Sequence, residues 1–156
     1  MFRTRTDVVT VGGRCGRESD PIADKANAVQ PLAIFLVEDE VLIRMMIAEM
    51  LDQLGHCVVA EAGSIAAATP IAASEKFDLA ILDINLRGES VLPVARLIEA
   101  RGVPFVFASG YTATGLPQPF HDRPILRKPF AVNKLDEVIR ELVASAQSSQ
   151  MAPHKS

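Results

Sequence analysis

Among its 156 residues the chain has no tryptophan, one tyrosine (Tyr111), two cysteines and three histidines. Cys15 and Cys57 stand far apart and fit no metal-binding or redox spacing, which predicts free thiols in a cytoplasmic setting. His56, His121 and His154 are scattered, with no partner at ligand spacing, so they read as surface or loop residues. No apolar run approaches the roughly 20 residues of a membrane span. The N-terminal arginines (Arg3, Arg5, Arg14, Arg17) are followed by no apolar segment of the kind a secretory signal needs, so no membrane role is expected. A net charge of −3 gives no electrostatic footprint for nucleic acid.

What is present fits one domain with a substantial core, since about half of the composition is apolar. Residues 1–30 form a Gly- and Pro-punctuated block with few apolar residues beyond Val8, Val9 and Val11, and read as a disordered extension. Residues 31–146 form the domain, and 147–156 a polar tail. Within the domain, strands and helices alternate. Leu32–Val37 is a continuous apolar run of strand length. Val41–Leu54 is helical in period, with Leu42, Met45, Met46, Met50 and Leu54 on the apolar side, Arg44 among the polar residues and Gly55 as the stop. The methionines read as core filling. Cys57–Ala60 is a second strand, and Ser64 caps an Ala-rich helix through about Ala73 that Pro70 interrupts or whose boundary it shifts. Leu79–Leu82 is a third strand, followed by a helix that begins near Pro93 and ends at Gly102. Val103–Ala108 and Pro124–Arg127 are the fourth and fifth strands, and Asn133–Ala146 is a closing amphipathic helix. Thr112–His121 has two Gly/Pro breaks and little periodicity, enough for a turn of helix at best.

Strands that read as unbroken apolar runs suit a parallel sheet covered on both faces, an α/β fold. Such sheets bind ligands at the carboxyl ends of their strands. Glu38-Asp39 follow the first strand, Asp83 and Asn85 the third, Ser109-Gly110-Tyr111 the fourth and Lys128-Pro129-Phe130 the fifth. Singly, each has a bland explanation: helix-dipole acids, a turn residue, a solvated lysine. Together, in a doubly wound sheet, they face one pocket. Three carboxylates held close need something positive between them. Hard oxygen ligands with an incomplete protein shell suit Mg²⁺, and a lysine and hydroxyl opposite would receive an anion. Asp83 then stands where a carboxylate can act as nucleophile and carry an acyl phosphate.

In this order the motifs resemble the receiver domain of two-component response regulators, over roughly Leu32 to Ala146. The resemblance implies a flavodoxin-like, five-stranded parallel sheet of order 2-1-3-4-5. It implies Asp83 as phosphoacceptor, and Mg²⁺ bound by Asp39, Asp83, Glu38 through a water, and the backbone carbonyl of Asn85. Lys128 would pair with phosphoryl oxygens, Ser109 would reach one after phosphorylation, and the Lys128–Pro129 bond would be cis. The aromatic switch residue usual on strand five is replaced here by Ile125. Instead Phe105-Val-Phe-Ala-Ser-Gly-Tyr111 resembles the Phe-Ala-Thr-Gly-Tyr signature of a receiver subfamily found largely in alphaproteobacteria. The Asn85-Leu-Arg-Gly-Glu segment and the Pro93 helix are similar to that group too. The switch is therefore placed in the loop of Ser109, Gly110 and Tyr111.

The function so implied is a stand-alone receiver. A sensor histidine kinase, of the HWE or a related subclass, or a phosphotransfer protein would phosphorylate Asp83. A downstream protein would read the result, since about ten residues after the last helix leave no room for an output domain. A monomer or weak homodimer is expected. A phosphate sink or relay step is the alternative within this class. Haloacid-dehalogenase-like phosphatases share the strand-end Asp, Mg²⁺ and lysine but need a second acid where Asn85 stands, so the chain is not expected to turn over substrates as an enzyme. The remaining alternative is a receiver fold that binds partners without phosphorylation.

Overall fold

The computed structural model describes residues 8–9, 30–110, 120 and 123–151, of which 8–9 and 149–151 by backbone alone. Tyr111, Cys15, His121 and His154 lie outside the described residues, as do Thr112–His121 apart from Phe120 and most of the extension and tail.

Five parallel strands carry the fold: β2 (Ala33–Val37), β3 (Cys57–Ala62), β4 (Leu79–Asp83), β7 (Phe105–Ser109) and β8 (Ile125–Arg127). They lie side by side as β3-β2-β4-β7-β8, the expected 2-1-3-4-5 order. A further short strand, β1 (Val8–Val9), pairs antiparallel with Ala62 and Glu61 on the outer side of β3, so this part of the expected extension joins the sheet. The helices are α1 (Val41–Gln53), α2 (Ile65–Ser74), α3 (Leu92–Ala100) and α4 (Val132–Met151), the last running past Ala146.

The strands' apolar runs split by alternation into two cores. Phe35, Val37, Ala80, Leu82, Phe105 and Phe107 point to one face, where α2 and α3 bring Ala68, Ile71, Val94 and Ile98. Ile34, Leu36, Leu79, Ile81, Val106 and Ala108 point to the other, where α1 and α4 bring Ile47, Leu51, Leu135 and Ile139. Every residue of β4 is buried, Asp83 included. Phe120 is fully buried with Phe105 and Phe107, edge-on at 5.9 Å from each.

Four expectations need correction. Leu42, Met45 and Met46 are exposed, whereas Arg44 is buried with Ile47 and Leu51. Two stripes of helical period compete on α1, and the side chain of Arg44 reaches inward to a backbone carbonyl, which selects the second. Pro70 lies inside α2, which continues through it. Burial of Ala67, Ala68, Ile71 and Ala72 offsets the roughly 3 kcal/mol that an interior proline costs a helix. His56 is buried at the end of the α1–β3 loop and accepts the Leu32 N–H on Nδ1 (3.2 Å), and burial holds its pKa below the ordinary value. Cys57 is disulfide-bonded rather than a free thiol.

Candidate functional site

The site is assembled where β2, β4, β7 and β8 end. At the end of β2, the Glu38 N–H donates to the Ala62 carbonyl (3.0 Å), which prolongs the pairing with β3 by one residue. The chain then turns into α1. Across that turn the Glu38 side chain accepts the Glu40 N–H (3.2 Å), and Arg44 Nη1 donates to the Glu38 carbonyl (2.8 Å). Glu38 itself is 1% exposed.

Asp83 is the last residue of β4, paired in register with Ala108. Its Oδ1 accepts the Asn85 N–H (3.3 Å) and its Oδ2 meets Lys128 Nζ (3.2 Å). Beyond it, β5 (Asn85–Leu86) and β6 (Glu89–Ser90) form a small hairpin that the sequence did not disclose. Arg87 and Gly88 make its turn with φ of 52° and 85°. Positive φ at both central residues suits the twist of a two-residue hairpin, although a left-handed arginine costs about 1–2 kcal/mol. The turn aims the Arg87 N–H at Asp39 Oδ2 (3.1 Å), and Asn85 Oδ1 closes it by accepting the Gly88 N–H (2.7 Å). Lys128 follows β8 and heads a cis Lys128–Pro129 bond, as the resemblance implied. Its Nζ is hydrogen-bonded to Glu38 Oε2, and its backbone N–H donates to the Ser109 carbonyl (2.8 Å).

A cleft of about 510 Å³ opens here, lined by Asp39, Asp83, Asn85, Ser109, Gly110 and Lys128, with Ile43, Met46 and Phe130 on an apolar side. Glu38 lies beneath it. The structure thus brings together every expected site residue except Tyr111, which lies outside the described residues. Two residues of the site were not singled out from the sequence. Arg44 was signalled only as a polar residue within an apolar stripe, and Arg87 only by the Arg-Gly pair.

Burial, the hydrogen bond to Lys128 notwithstanding, and the nearby Asp83 charge push the Glu38 carboxyl up to about 7. Burial also pushes Asp39 up, but hydrogen bonding with Glu38 and from the Arg87 N–H overrides it, leaving Asp39 below its ordinary value. Burial pulls Lys128 down, yet its hydrogen bond to Glu38 and the charge of Asp83 outweigh this and hold it above its ordinary value. One lysine therefore does not neutralise the acids around it. Glu38, Asp39 and Asp83 each offer a carboxylate oxygen, all within 4.8 Å of one another. That donor set fits a hard divalent cation such as Mg²⁺, and the excess negative charge is of the sign such an ion would offset.

An open parallel sheet with three acids and a lysine at its carboxyl edge defines a receiver-type site. Residues 34–140 match the response regulator receiver domain, and the chain belongs to that family. It is similar to the transcriptional regulatory protein PdtaR of Mycobacterium tuberculosis, 33% identical over 124 residues that cover 77% of this chain and 60% of PdtaR. Among solved structures it is similar to SdrG from Sphingomonas melonis Fr1 (38% identical, TM-score 0.66, covering 72% of this chain and 97% of SdrG). It is also similar to the response regulator PhyR from Brucella abortus (26% identical, TM-score 0.69, covering 80% of this chain and 52% of the PhyR chain). The chain spans about 60% of the length of its first curated relative. Among the described residues no helix is long and apolar enough to cross a membrane.

Proposed function

We propose that this receiver accepts a phosphoryl group on Asp83 and passes the signal on through protein contacts that depend on it. The observation that carries this reading is Asp83 itself: a buried strand-end carboxylate bonded to Lys128 within the acidic triad and open to the cleft. An Asp83 oxygen attacks the phosphorus of a phosphohistidine. The P–N bond breaks, the imidazole leaves and takes up a proton, and the new P–O bond makes a mixed anhydride. Lys128 stays protonated and pairs with a phosphoryl oxygen. Asp39, Asp83, Glu38 through a water and the Asn85 carbonyl would hold Mg²⁺, which when bound supplies positive charge against the phosphoryl oxygens.

The donor is a sensor histidine kinase, of HWE or related type, or a phosphotransfer protein. Support for a helical donor comes from α1, where Val41, Leu42, Met45 and Met46 are exposed and Met46 reaches the cleft wall. The output is carried by Ser109, Gly110 and Tyr111, with the Phe105–Tyr111 signature of the alphaproteobacterial subfamily in place of the aromatic residue that Ile125 lacks. The protein acts alone in the cytoplasm, as monomer or weak dimer, on a downstream protein.

The test is incubation with a small phosphodonor and Mg²⁺, followed by intact mass, with Asp83→Asn alongside. A single phosphoryl adduct in the wild type only is expected. Folded wild type that binds Mg²⁺ yet takes no adduct would sink the reading and favour a binding module.

A further inference from the structure

Arg44 is the one cationic residue of α1, and it is turned toward the sheet with 9% exposure. Burying a guanidinium is costly unless it is well paired. Among the described residues its close partner is the Glu38 carbonyl at 2.8 Å, while Glu61 Oε1 lies at 4.0 Å from Nε. An apolar side chain would satisfy the packing of α1 without desolvating a charge. What arginine adds is reach and a rigid, forked donor.

That donor lands on a decisive peptide. The Glu38 N–H is already held by Ala62 of β3, so with Arg44 on its carbonyl both main-chain groups of Glu38 are fixed, one from the sheet and one from the helix. Only side-chain torsions remain free. The carboxylate is then held between Lys128 and the Glu40 N–H, and Asp39, one residue on, is set facing Arg87. We propose that Arg44 is a positioning residue. By clamping the Glu38 carbonyl to α1 it fixes how the Glu38 and Asp39 carboxylates enter the site, and thereby sets the affinity for the divalent cation. This rests on the Mg²⁺ reading of the triad given above.

Charge and geometry make opposite forecasts here. Removing a positive charge near three acids would, by Coulomb attraction alone, tighten cation binding. Losing the clamp would weaken it. Calorimetric titration of Mg²⁺ into the wild type, Arg44→Met, Arg44→Lys and Glu61→Gln separates the two. Loss of a residue that orients metal ligands typically costs about 10–100-fold in affinity, and Arg44→Met should fall near the lower end of that range. Arg44→Lys should recover part of the loss, and Glu61→Gln should match the wild type. Unchanged or tighter binding by folded Arg44→Met overturns the proposal, as does a Glu61→Gln variant that reproduces its loss. Should Arg44→Met fail to fold, Arg44→Gln, with its shorter neutral amide, is read by the same criterion. A wild type that binds no Mg²⁺ would instead bring down the metal reading itself.

Discussion

The two halves of the cleft are built on different terms. On the acidic side, Glu38, Asp39 and Asp83 are held by the Ala62 carbonyl, the N–H groups of Glu40, Asn85 and Arg87, and the side chains of Arg44 and Lys128. On the other side Ser109 is half-buried, and Gly110 is exposed, with no described residue where a Cβ would stand. Lys128 joins them, its ammonium among the acids and its backbone N–H on the Ser109 carbonyl. The half proposed to offer charge is held by hydrogen bonds within the protein itself, which is where preorganisation lowers barriers. The half proposed to respond keeps room to change.

The largest effect that would test this contrast is a pH dependence confined to the acidic side. Glu38 has a folded pKa of about 7 against an ordinary 4.5. Its contribution to stability is therefore fully present below pH 4.5 and lost as pH rises through 7. By linkage that loss is roughly 3 kcal/mol by pH 8. Urea denaturation of the metal-free protein should show it as a difference from Glu38→Gln, which lacks the titration. Equal slopes for the two proteins would mean that the acidic corner is not strained.

Next in size is Lys128→Met. Removing one partner of a buried pair commonly costs 3–5 kcal/mol, but Glu38 can escape by taking up a proton, so about 2 kcal/mol is expected at pH 8. The cost should shrink toward pH 5 in the same denaturation series. On the responding side the effects should be small. Ser109→Ala should leave Mg²⁺ affinity within about twofold, since its side chain is not among the proposed ligands. A larger drop in titration would show that the halves are not separate. Gly110→Ala should move stability by no more than about 0.5 kcal/mol, because none of the described residues occupies the space its methyl enters.

How far the sequence could be read follows the same physics. Strands buried on both faces announce themselves by runs such as Leu79–Leu82, and the polar residues that follow several such runs, Asp83 among them, point to one edge of the sheet only when taken together. The register of α1 could not be read that way. Leu42/Met45/Met46 and Ile43/Ile47/Leu51 are both acceptable apolar stripes, and the choice depends on non-local packing against Ile34, Leu36 and Ile139 and on the bond from Arg44 to the Glu38 carbonyl. Pro70 misled because packing on Ala67, Ala68 and Ile71 outweighs local propensity. The Arg87–Gly88 hairpin has strands of two residues, too short for any alternation to register. The same brevity hid β1, whose partner lies more than fifty positions away.

The outward turn of Met45 and Met46 also has a chemical consequence. Both side chains are exposed, Met46 on the cleft wall and Met45 beside it in sequence, whereas Met50, one turn on, is half-buried against the core. Oxidants should therefore reach the exposed pair first and turn a pliant apolar surface into a polar, chiral one. Brief peroxide treatment followed by peptide mass mapping should find sulfoxide on Met45 and Met46 ahead of Met50. The fold would survive while the surface proposed for a donor helix changed, without any change at Asp83.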